Sequence, residues 1–213
     1  MTDSHCHLDH CDDPELAADP ALRLIVSVGT TLERCERTLA FAERFANVRA
    51  AVGIHPNEAE QARDASVRRD VEALARHARV VAIGETGVDR YWERVAPEVQ
   101  AESFRWQADL AARLGKPLIL HVRDGDGSDA ASSLARDLIL EAGHRQGVLH
   151  CFSGHAGLLE AGLGLGWFVS FAGNLSYKNA HALHAAARAL PQERLLLATD
   201  SPFLSPQPER GKP

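Results

Sequence analysis

The sequence lacks the features of membrane, secreted and cysteine-rich proteins. Its longest apolar runs, such as LILHV and RLIVSV, are far shorter than the roughly 20 residues of a membrane-spanning helix. In place of a signal peptide, a histidine-rich motif begins at Asp3. The four cysteines show no CxxC spacing, which disfavours zinc fingers and disulfide scaffolds and predicts reduced thiols. We therefore expect a cytoplasmic protein with no membrane contact.

Basic residues are outnumbered by acidic ones: 23 lysines and arginines stand against 29 aspartates and glutamates, which gives the 213 residues a formal net charge of −6. A general nucleic-acid-binding surface is normally basic, and no helix-turn-helix, RRM or zinc-finger pattern is present. A non-catalytic nucleic-acid-binding or metal-binding protein is therefore disfavoured. Any nucleic-acid substrate needs local basic groups or bound cations to offset the overall charge.

The sequence has no linker, low-complexity segment or internal repeat to divide it. We expect one domain over residues 1–213, with no obligate protein partner evident. Short apolar runs alternate with amphipathic stretches along its length. The predicted strands are Thr2–His7, Leu22–Gly29, Val48–Ile54, Val80–Glu85, Pro117–Val122, Gly147–Cys151, Trp167–Ala172 and Leu195–Asp200. The clearest predicted helices are Leu32–Phe45, Val67–His77, Pro97–Leu114, Asp129–Ala142 and Lys178–Leu190.

Eight strands alternating with helices predict the α/β class and a (β/α)8 TIM barrel. A doubly wound open sheet is the alternative, but no GxGxxG or P-loop motif follows the first strand. In such a barrel the carboxyl ends of the strands form the active-site face. The ionisable residues at those ends are His5, His7, His55, Glu85, His121, His150 and Asp200.

This set is too large for one tetrahedral ion with an open position, and it suits two divalent ions. Glu85 can bridge them, and mixed imidazole and carboxylate ligands fit Zn²⁺, Mn²⁺ or, less well, Mg²⁺. Singly, Glu85 is also compatible with a helix cap, and Asp200 with an N-cap before Ser201. The remaining histidines fall on predicted helices or loops; they are His10, His77, His144, His155, His181 and His184. His181 and His184 are spaced to share a helix face and are predicted to be ordinary solvated or packing residues.

Several motifs together resemble a known family. DSHCHLD, GIHP, IGETGVDRY, KPLILHVRD, HCFSG, SFAG and TDSPFLSP follow one another between Asp3 and Lys212 in the order typical of the TatD family of metal-dependent deoxyribonucleases. The resemblance implies a barrel of the amidohydrolase-like superfamily that hydrolyses DNA with divalent metal, often from an end. We expect single-stranded DNA as the substrate.

The resemblance also implies roles for individual residues. His5 and His7 would bind one metal, Glu85 would bridge, and His121 and His150 would hold the second metal. Asp200 would bind metal and orient or deprotonate the attacking water, so Asp200 and Glu85 are the predicted catalytic residues.

His55 and Arg123 are expected to face the substrate phosphate, although a surface salt bridge of Arg123 with Asp124 or another acid is an alternative. Further positive charge near the last two strand loops is expected from Lys178, Arg210 and Lys212.

The sequence also departs from the family pattern. It reaches PERGKP where relatives typically continue with a closing helix, so we expect either a longer natural chain or another cover for that flank. Val88 and Arg90 replace a leucine and an aromatic residue. The rival activity is hydrolysis of an ester or amide, as in a D-aminoacyl-tRNA deacylase, because the same activated water can attack a carbonyl.

Overall fold

The computed structural model describes residues 1–209, and it contains one sheet of eight parallel strands. The strands pair in chain order, each with the next. Their bounds are β1 Thr2–Cys6, β2 Leu24–Val28, β3 Val48–Val52, β4 Val80–Asp89, β5 Leu118–Arg123, β6 Gly147–Leu149, β7 Phe168–Phe171 and β8 Leu195–Leu197. This order excludes the doubly wound alternative, in which the strand order reverses within the sheet.

Hydrogen bonds between the first and last strand regions close the sheet into a barrel. The backbone N–H of Asp200 donates to the carbonyl oxygen of His5 at 3.0 Å. The buried Asp3 carboxylate accepts the backbone N–H of Thr199 at 3.0 Å and its hydroxyl at 2.6 Å. The predicted (β/α)8 barrel is therefore confirmed.

Seven α-helices connect the strands within residues 1–209. Their bounds are α1 Pro14–Ala17, α2 Leu32–Arg44, α3 Ala65–Ala75, α4 Pro97–Leu114, α5 Ala130–Ala142, α6 Ala156–Gly164 and α7 His181–Ala189. The sequence pattern does not predict α6, because AGLLEAGLG has too few polar residues to show a helical period. No helix of the described residues is long and apolar enough to cross a membrane. No α-helix follows β8 before residue 210.

The helices bury a large apolar core against the outside of the barrel. Its largest fully buried side chains are Trp167, Phe104 and Phe171. A separate small cluster consists of Val28, Ala51, Ala82 and Ile119, one from each of β2 to β5. Because side chains alternate along a strand, His121 points to the same side as Ile119 and continues this row toward the end of the strand.

Strand β4 is longer than predicted. It continues to Asp89, so Glu85 lies inside the strand and the helix-cap alternative for it is wrong. Gly87 permits this continuation, since its φ is 140° and any side chain there would collide with the carbonyl oxygen of His121. The backbones of β4 and β5 therefore approach each other closely beside the site.

Other predicted strands are slightly too long. β1, β6 and β8 end before His7, His150 and Asp200, which lie in the loops just after them. No helix begins after Asp200 in the described chain, so the N-cap alternative for Asp200 is also wrong. Loop positions free these side chains from strand alternation and let them turn toward one another.

Two buried glutamines of α4 fix the ends of β3 and β4. Gln107 accepts the N–H of Ile54 and donates to its carbonyl oxygen, both at 2.9 Å, and also donates to the Thr86 hydroxyl at 2.8 Å. Gln100 accepts the N–H of Asp89 at 2.8 Å and donates to its carbonyl oxygen at 3.0 Å. Both glutamines lie on one face of α4, about two turns apart. They satisfy backbone groups that would otherwise be buried without partners.

Candidate metal centre

All six predicted metal ligands meet at the mouth of the barrel where the strands end. They are His5 in β1, His7 just after it, Glu85 in β4, His121 in β5, His150 after β6 and Asp200 after β8. The fold brings them together because parallel strands deliver their carboxyl ends to one face. Potential ligands far apart in sequence thereby come within a few ångströms of one another.

The histidines of the HxH motif form the first group of donor atoms. Their Nε2 atoms are 3.3 Å apart. Oδ1 of Asp200 lies 3.7 Å from Nε2 of His5 and 3.5 Å from Nε2 of His7. Oε2 of Glu85 lies 3.6 and 3.7 Å from the same two nitrogens.

The second oxygen of Glu85 faces other histidines. Its Oε1 is 2.8 Å from Nδ1 of His121 and 3.8 Å from Nε2 of His150. His150 also approaches Oδ1 of Asp200 at 3.3 Å, and its ring stacks on that of His5 with centroids 3.4 Å apart. Glu85 therefore lies between two sets of imidazoles.

The sets of atoms close enough to share one ion differ from the predicted division of ligands. In the described residues these sets are His5, His7 and Asp200; His5, Glu85 and His150; His55, Glu85 and His121; and His150, Cys151 and Asp200. None of them contains both His121 and His150, which the resemblance to the TatD family assigns to one ion. The assignment of ligands to each ion stays a prediction.

The donor atoms fit a divalent cation in both chemistry and spacing. Ligand atoms bound tetrahedrally at 2.0–2.2 Å are about 3.3–3.6 Å apart, which is close to the separations around His5 and His7. Glu85 and Asp200 have no lysine or arginine partner within residues 1–209, where their ionic partners are all histidines. A bound cation would offset the cost of burying these carboxylates.

Hydrogen bonds to the far ring nitrogens decide what two of the histidines can do. Nδ1 of His7 lies 2.9 Å from the carbonyl oxygen of Val28 and donates to it, which leaves the lone pair of Nε2 free to bind metal. Nδ1 of His55 instead accepts the backbone N–H of Asn57 at 3.1 Å. Its Nε2 therefore carries the proton of the neutral ring, so His55 offers a hydrogen-bond donor where His7 offers a ligand.

The two histidines of the HxH motif have opposite pKa shifts. Burial lowers the pKa of His5 to about 4, and the neighbouring charge of His150 acts in the same direction. Burial also disfavours protonation of His7, but the bond to Asp200 and the charge of Glu85 outweigh it and raise the pKa of His7 to about 9. The two shifts differ in direction because the contacts of His7 with carboxylates outweigh its burial, while those of His5 do not.

The carboxylates remain ionised although they are largely buried. Burial raises the pKa of Glu85, but the charge of His5 and the bond to His121 hold it well below the usual range. Burial likewise opposes ionisation of Asp200, and its contacts with His150 hold the pKa of that carboxyl below the usual range. Both groups are therefore ready to bind a cation.

Asp89 is a site residue that the sequence analysis does not identify. Its Oδ2 is 3.1 Å from Nε2 of His121 and accepts the side-chain amide of Asn57 at 3.0 Å. Burial lowers the pKa of His121, but the bonds to Asp89 and Glu85 outweigh it and raise that pKa to about 9. The available signal is spacing, since Asp89 lies four residues after Glu85 and on the same face of an extended strand.

The predicted phosphate-binding residues take different positions. His55 is near Glu85 and His121. Arg123 is exposed, and its guanidinium carbon lies 3.8 Å from the ring centre of Tyr91. The salt-bridge alternative for Arg123 is wrong within residues 1–209, where no acidic side chain pairs with it. Asp124 instead accepts the backbone N–H and hydroxyl of Ser132 at 3.0 and 2.5 Å.

Of the three cationic residues expected near the last strand loops, one lies within the described residues. Lys178 is exposed in the loop between β7 and α7. Arg210 and Lys212 lie outside the described residues.

Comparison with known sequences assigns the barrel and its histidine motifs to a family. The profile described as TatD related DNase matches residues 2–213. The chain belongs to the TatD family. A TatD-family relative from Mycobacterium tuberculosis, named an uncharacterized metal-dependent hydrolase TatD, is 38% identical over 99% of this chain and 83% of its own length. The Escherichia coli K12 metal-dependent hydrolase YcfH is 36% identical over 100% of this chain and 81% of its own length. The predicted family is therefore confirmed, and the chain is a metal-dependent hydrolase.

Solved structures agree with the TatD-family fold. The TatD homolog YjjV from Escherichia coli K12 has a TM-score of 0.89 and 29% identity, covering 100% of this chain and 83% of its own. A TatD-family hydrolase from Entamoeba histolytica has a TM-score of 0.73 and 21% identity, covering 94% of this chain and 73% of its own. At that identity the second likeness shows the fold alone.

Proposed function

We propose that this TatD-family chain is a deoxyribonuclease that hydrolyses phosphodiester bonds of single-stranded DNA from an end, with residues 1–213 acting as one catalytic domain. The observation that carries the proposal is the position of Glu85. Its Oε2 faces His5 and His7 at 3.6 and 3.7 Å, while its Oε1 faces His121 at 2.8 Å. A carboxylate in this position can bridge two divalent ions, the arrangement used for in-line displacement at phosphorus. The family description supports DNA as the substrate.

The proposed ligands of the two ions are His5, His7, Glu85, His121, His150 and Asp200. Their mixed nitrogen and oxygen donors are compatible with Zn²⁺, Mn²⁺ or Mg²⁺. When bound, such ions lower the pKa of a water molecule and neutralise charge that develops on the phosphate.

Asp200 is the proposed general base. Its carboxylate is ionised and more exposed than that of Glu85, so it can meet a water molecule at the open side of the site. A positioned base typically contributes 10²- to 10⁴-fold in rate. As Asp200 takes the proton, the water oxygen bonds to phosphorus and the phosphorus–oxygen bond to the sugar breaks. Solvent then protonates the departing oxygen.

His55 and Arg123 are proposed to hold the phosphate. Burial and the neighbouring charge of His121 lower the pKa of His55 to about 3, so its ring stays neutral and donates through Nε2–H. Arg123 supplies a fixed positive charge and a planar set of donors near the mouth. These groups, together with bound cations, would offset the net charge of −6 that otherwise repels DNA.

The test is degradation of single-stranded DNA, labelled at either the 5′ or the 3′ end, by metal-stripped protein resupplied separately with Mg²⁺, Mn²⁺ and Zn²⁺. We expect metal-restored cleavage with a stepwise product ladder from one end. Glu85→Gln should lower the rate about 100-fold or more, because the bridging carboxylate is lost. Glu141→Gln is the matched control, since Glu141 is an exposed carboxylate of α5 paired with Arg105.

The result that contradicts the proposal is an absence of DNA cleavage with every metal, in protein that has taken up the ions. The same preparation should then be tested on D-aminoacyl-tRNA. Metal-dependent deacylation that Glu85→Gln abolishes would assign the site to a carbonyl ester in place of a phosphodiester.

A further inference from the structure

Two aromatic side chains are exposed side by side in the loop that follows β4. Tyr91 is 44% exposed and Trp92 is 51% exposed. Their ring centres are 5.1 Å apart and the ring planes are nearly perpendicular, at 88°. Aromatic rings gain much from burial, so an exposed pair beside an active-site mouth indicates a surface that contacts a ligand.

Arginines surround this aromatic pair. The guanidinium carbon of Arg123 lies 3.8 Å from the ring centre of Tyr91 and 5.6 Å from that of Trp92. Arg94 lies 5.3 Å from the Trp92 ring centre on its own loop. The pair also borders a cavity of about 490 Å³, with Arg90 on the β4 side and the loop that follows β5 opposite. Pockets of this size accommodate small organic groups.

Asp89 connects the aromatic pair to the metal centre. Its Oδ1 accepts the backbone N–H groups of Tyr91 and Trp92 at 2.9 and 3.1 Å. Its Oδ2 contacts His121, which in turn contacts Glu85. One carboxylate therefore fixes both the loop and a proposed ligand. The loop that carries the rings is thus anchored to a residue that contacts a proposed metal ligand.

We propose that Tyr91, Trp92 and Arg123 form a nucleobase-binding subsite, in which the base next to the scissile phosphate stacks on the aromatic rings and the guanidinium. The inference rests on the proposed nuclease function. Every base has a π face, so stacking of this kind holds single-stranded DNA with little sequence preference. Arg123 can also contact a backbone phosphate, which supplies local positive charge on an acidic protein.

The first test uses intrinsic fluorescence. Trp92 is the one well-exposed tryptophan of the three, since Trp106 is 9% exposed and Trp167 is 0% exposed. We expect a thymidine decamer to quench the emission of Trp92 in the presence of Mg²⁺, with Asp200→Asn used to prevent cleavage during the titration. An equivalent decamer of abasic residues should cause little quenching.

The second test compares variants of the active chain. Trp92→Ala should lower kcat/KM for the decamer about 5- to 150-fold, the range of one lost base stack, mainly through KM. Trp92→Phe should restore most of the loss because it keeps an aromatic face. Phe168→Ala is the matched control, because Phe168 is 38% exposed beneath Arg194 at the start of β7, away from the mouth.

The outcomes separate the subsite from the nuclease. If the wild-type chain cuts the thymidine and abasic decamers equally well, and Trp92→Ala does not change this, the subsite is overturned and the nuclease stands. If the wild-type chain cuts no DNA but Trp92 is quenched by the thymidine decamer alone, the subsite stands and the nuclease fails. Equal quenching by both decamers also overturns the subsite, because it reports a response to phosphates.

Discussion

Asp89 is predicted to position His121 for metal binding. Its carboxylate is buried and contacts the outer nitrogen of the His121 ring at 3.1 Å, as partners of ligand histidines commonly do. Asp89→Asn keeps the size of the side chain but removes the negative charge and one acceptor. We expect a 10- to 100-fold loss of metal affinity, measured by isothermal titration with Mn²⁺ or Zn²⁺.

The control for this change is Asp124→Asn. Asp124 bonds to Ser132 at the start of α5, and within residues 1–209 it makes no hydrogen bond to a proposed ligand. Its replacement should leave metal affinity within about twofold. Unchanged affinity in Asp89→Asn, with circular dichroism showing an intact fold, would contradict a positioning role.

The six proposed ligands were predictable because each lies in a short motif at a predicted strand end. Asp89 was not, although it lies in GETGVD, because the apolar run before it predicts a strand that ends at Glu85. The donor role of His55 depends on a backbone N–H of Asn57, which no motif reveals. Sequence therefore indicates the residue types that meet, while the proton on each ring depends on contacts made only after folding.

At the scale of elements, α4 is predicted to stabilise the mouth through Gln107. This side chain pairs with both backbone groups of Ile54 and with the Thr86 hydroxyl, all buried. Gln107→Leu has a similar volume and leaves these groups without partners, at a cost of about 1–3 kcal/mol each. We expect the free energy of unfolding to fall by about 3–5 kcal/mol in urea denaturation monitored by circular dichroism.

Gln192→Leu provides the matched control for α4. Gln192 is exposed before β8, so the same substitution there should change the free energy of unfolding by less than about 0.5 kcal/mol. Equal effects at the two positions would show that the bonds of Gln107 add no net stability.

The element pattern was more predictable than its boundaries. The eight strands follow from apolar runs, and five helices follow from their amphipathic period. The glycine-rich α6 shows no such period, and its helical form depends on packing against the barrel. The extension of β4 beyond Glu85 requires the close approach of Gly87 to His121 on another strand, a contact that is not local in sequence.

At the scale of the whole molecule, closure of the barrel determines how charge is distributed. The seam between β8 and β1 brings Asp200 beside His5, at opposite ends of the chain. Several carboxylates and histidines then share one mouth, and their protonation is coupled. The stability of the folded protein should therefore depend jointly on pH and divalent metal.

This coupling predicts how metal stabilises the protein as pH changes. The folded pKa values of His7 and His121, about 9, lie above the unfolded value of about 6.5. Their stabilisation of the metal-free chain is fully present below pH 6.5 and is lost as the pH rises through 9. Divalent ions require the deprotonated rings, so they bind more tightly over the same interval.

We therefore expect the difference in Tm between metal-loaded and chelator-treated protein to grow by about 5 °C or more from pH 6.5 to pH 9, measured by differential scanning calorimetry. His184→Gln is the control, because His184 lies on α7 and bonds the carbonyl oxygen of Leu175, away from the proposed ligands. Its Tm difference should follow the wild-type curve. A difference that stays constant or shrinks with rising pH would mean that protons and metal do not compete for His7 and His121.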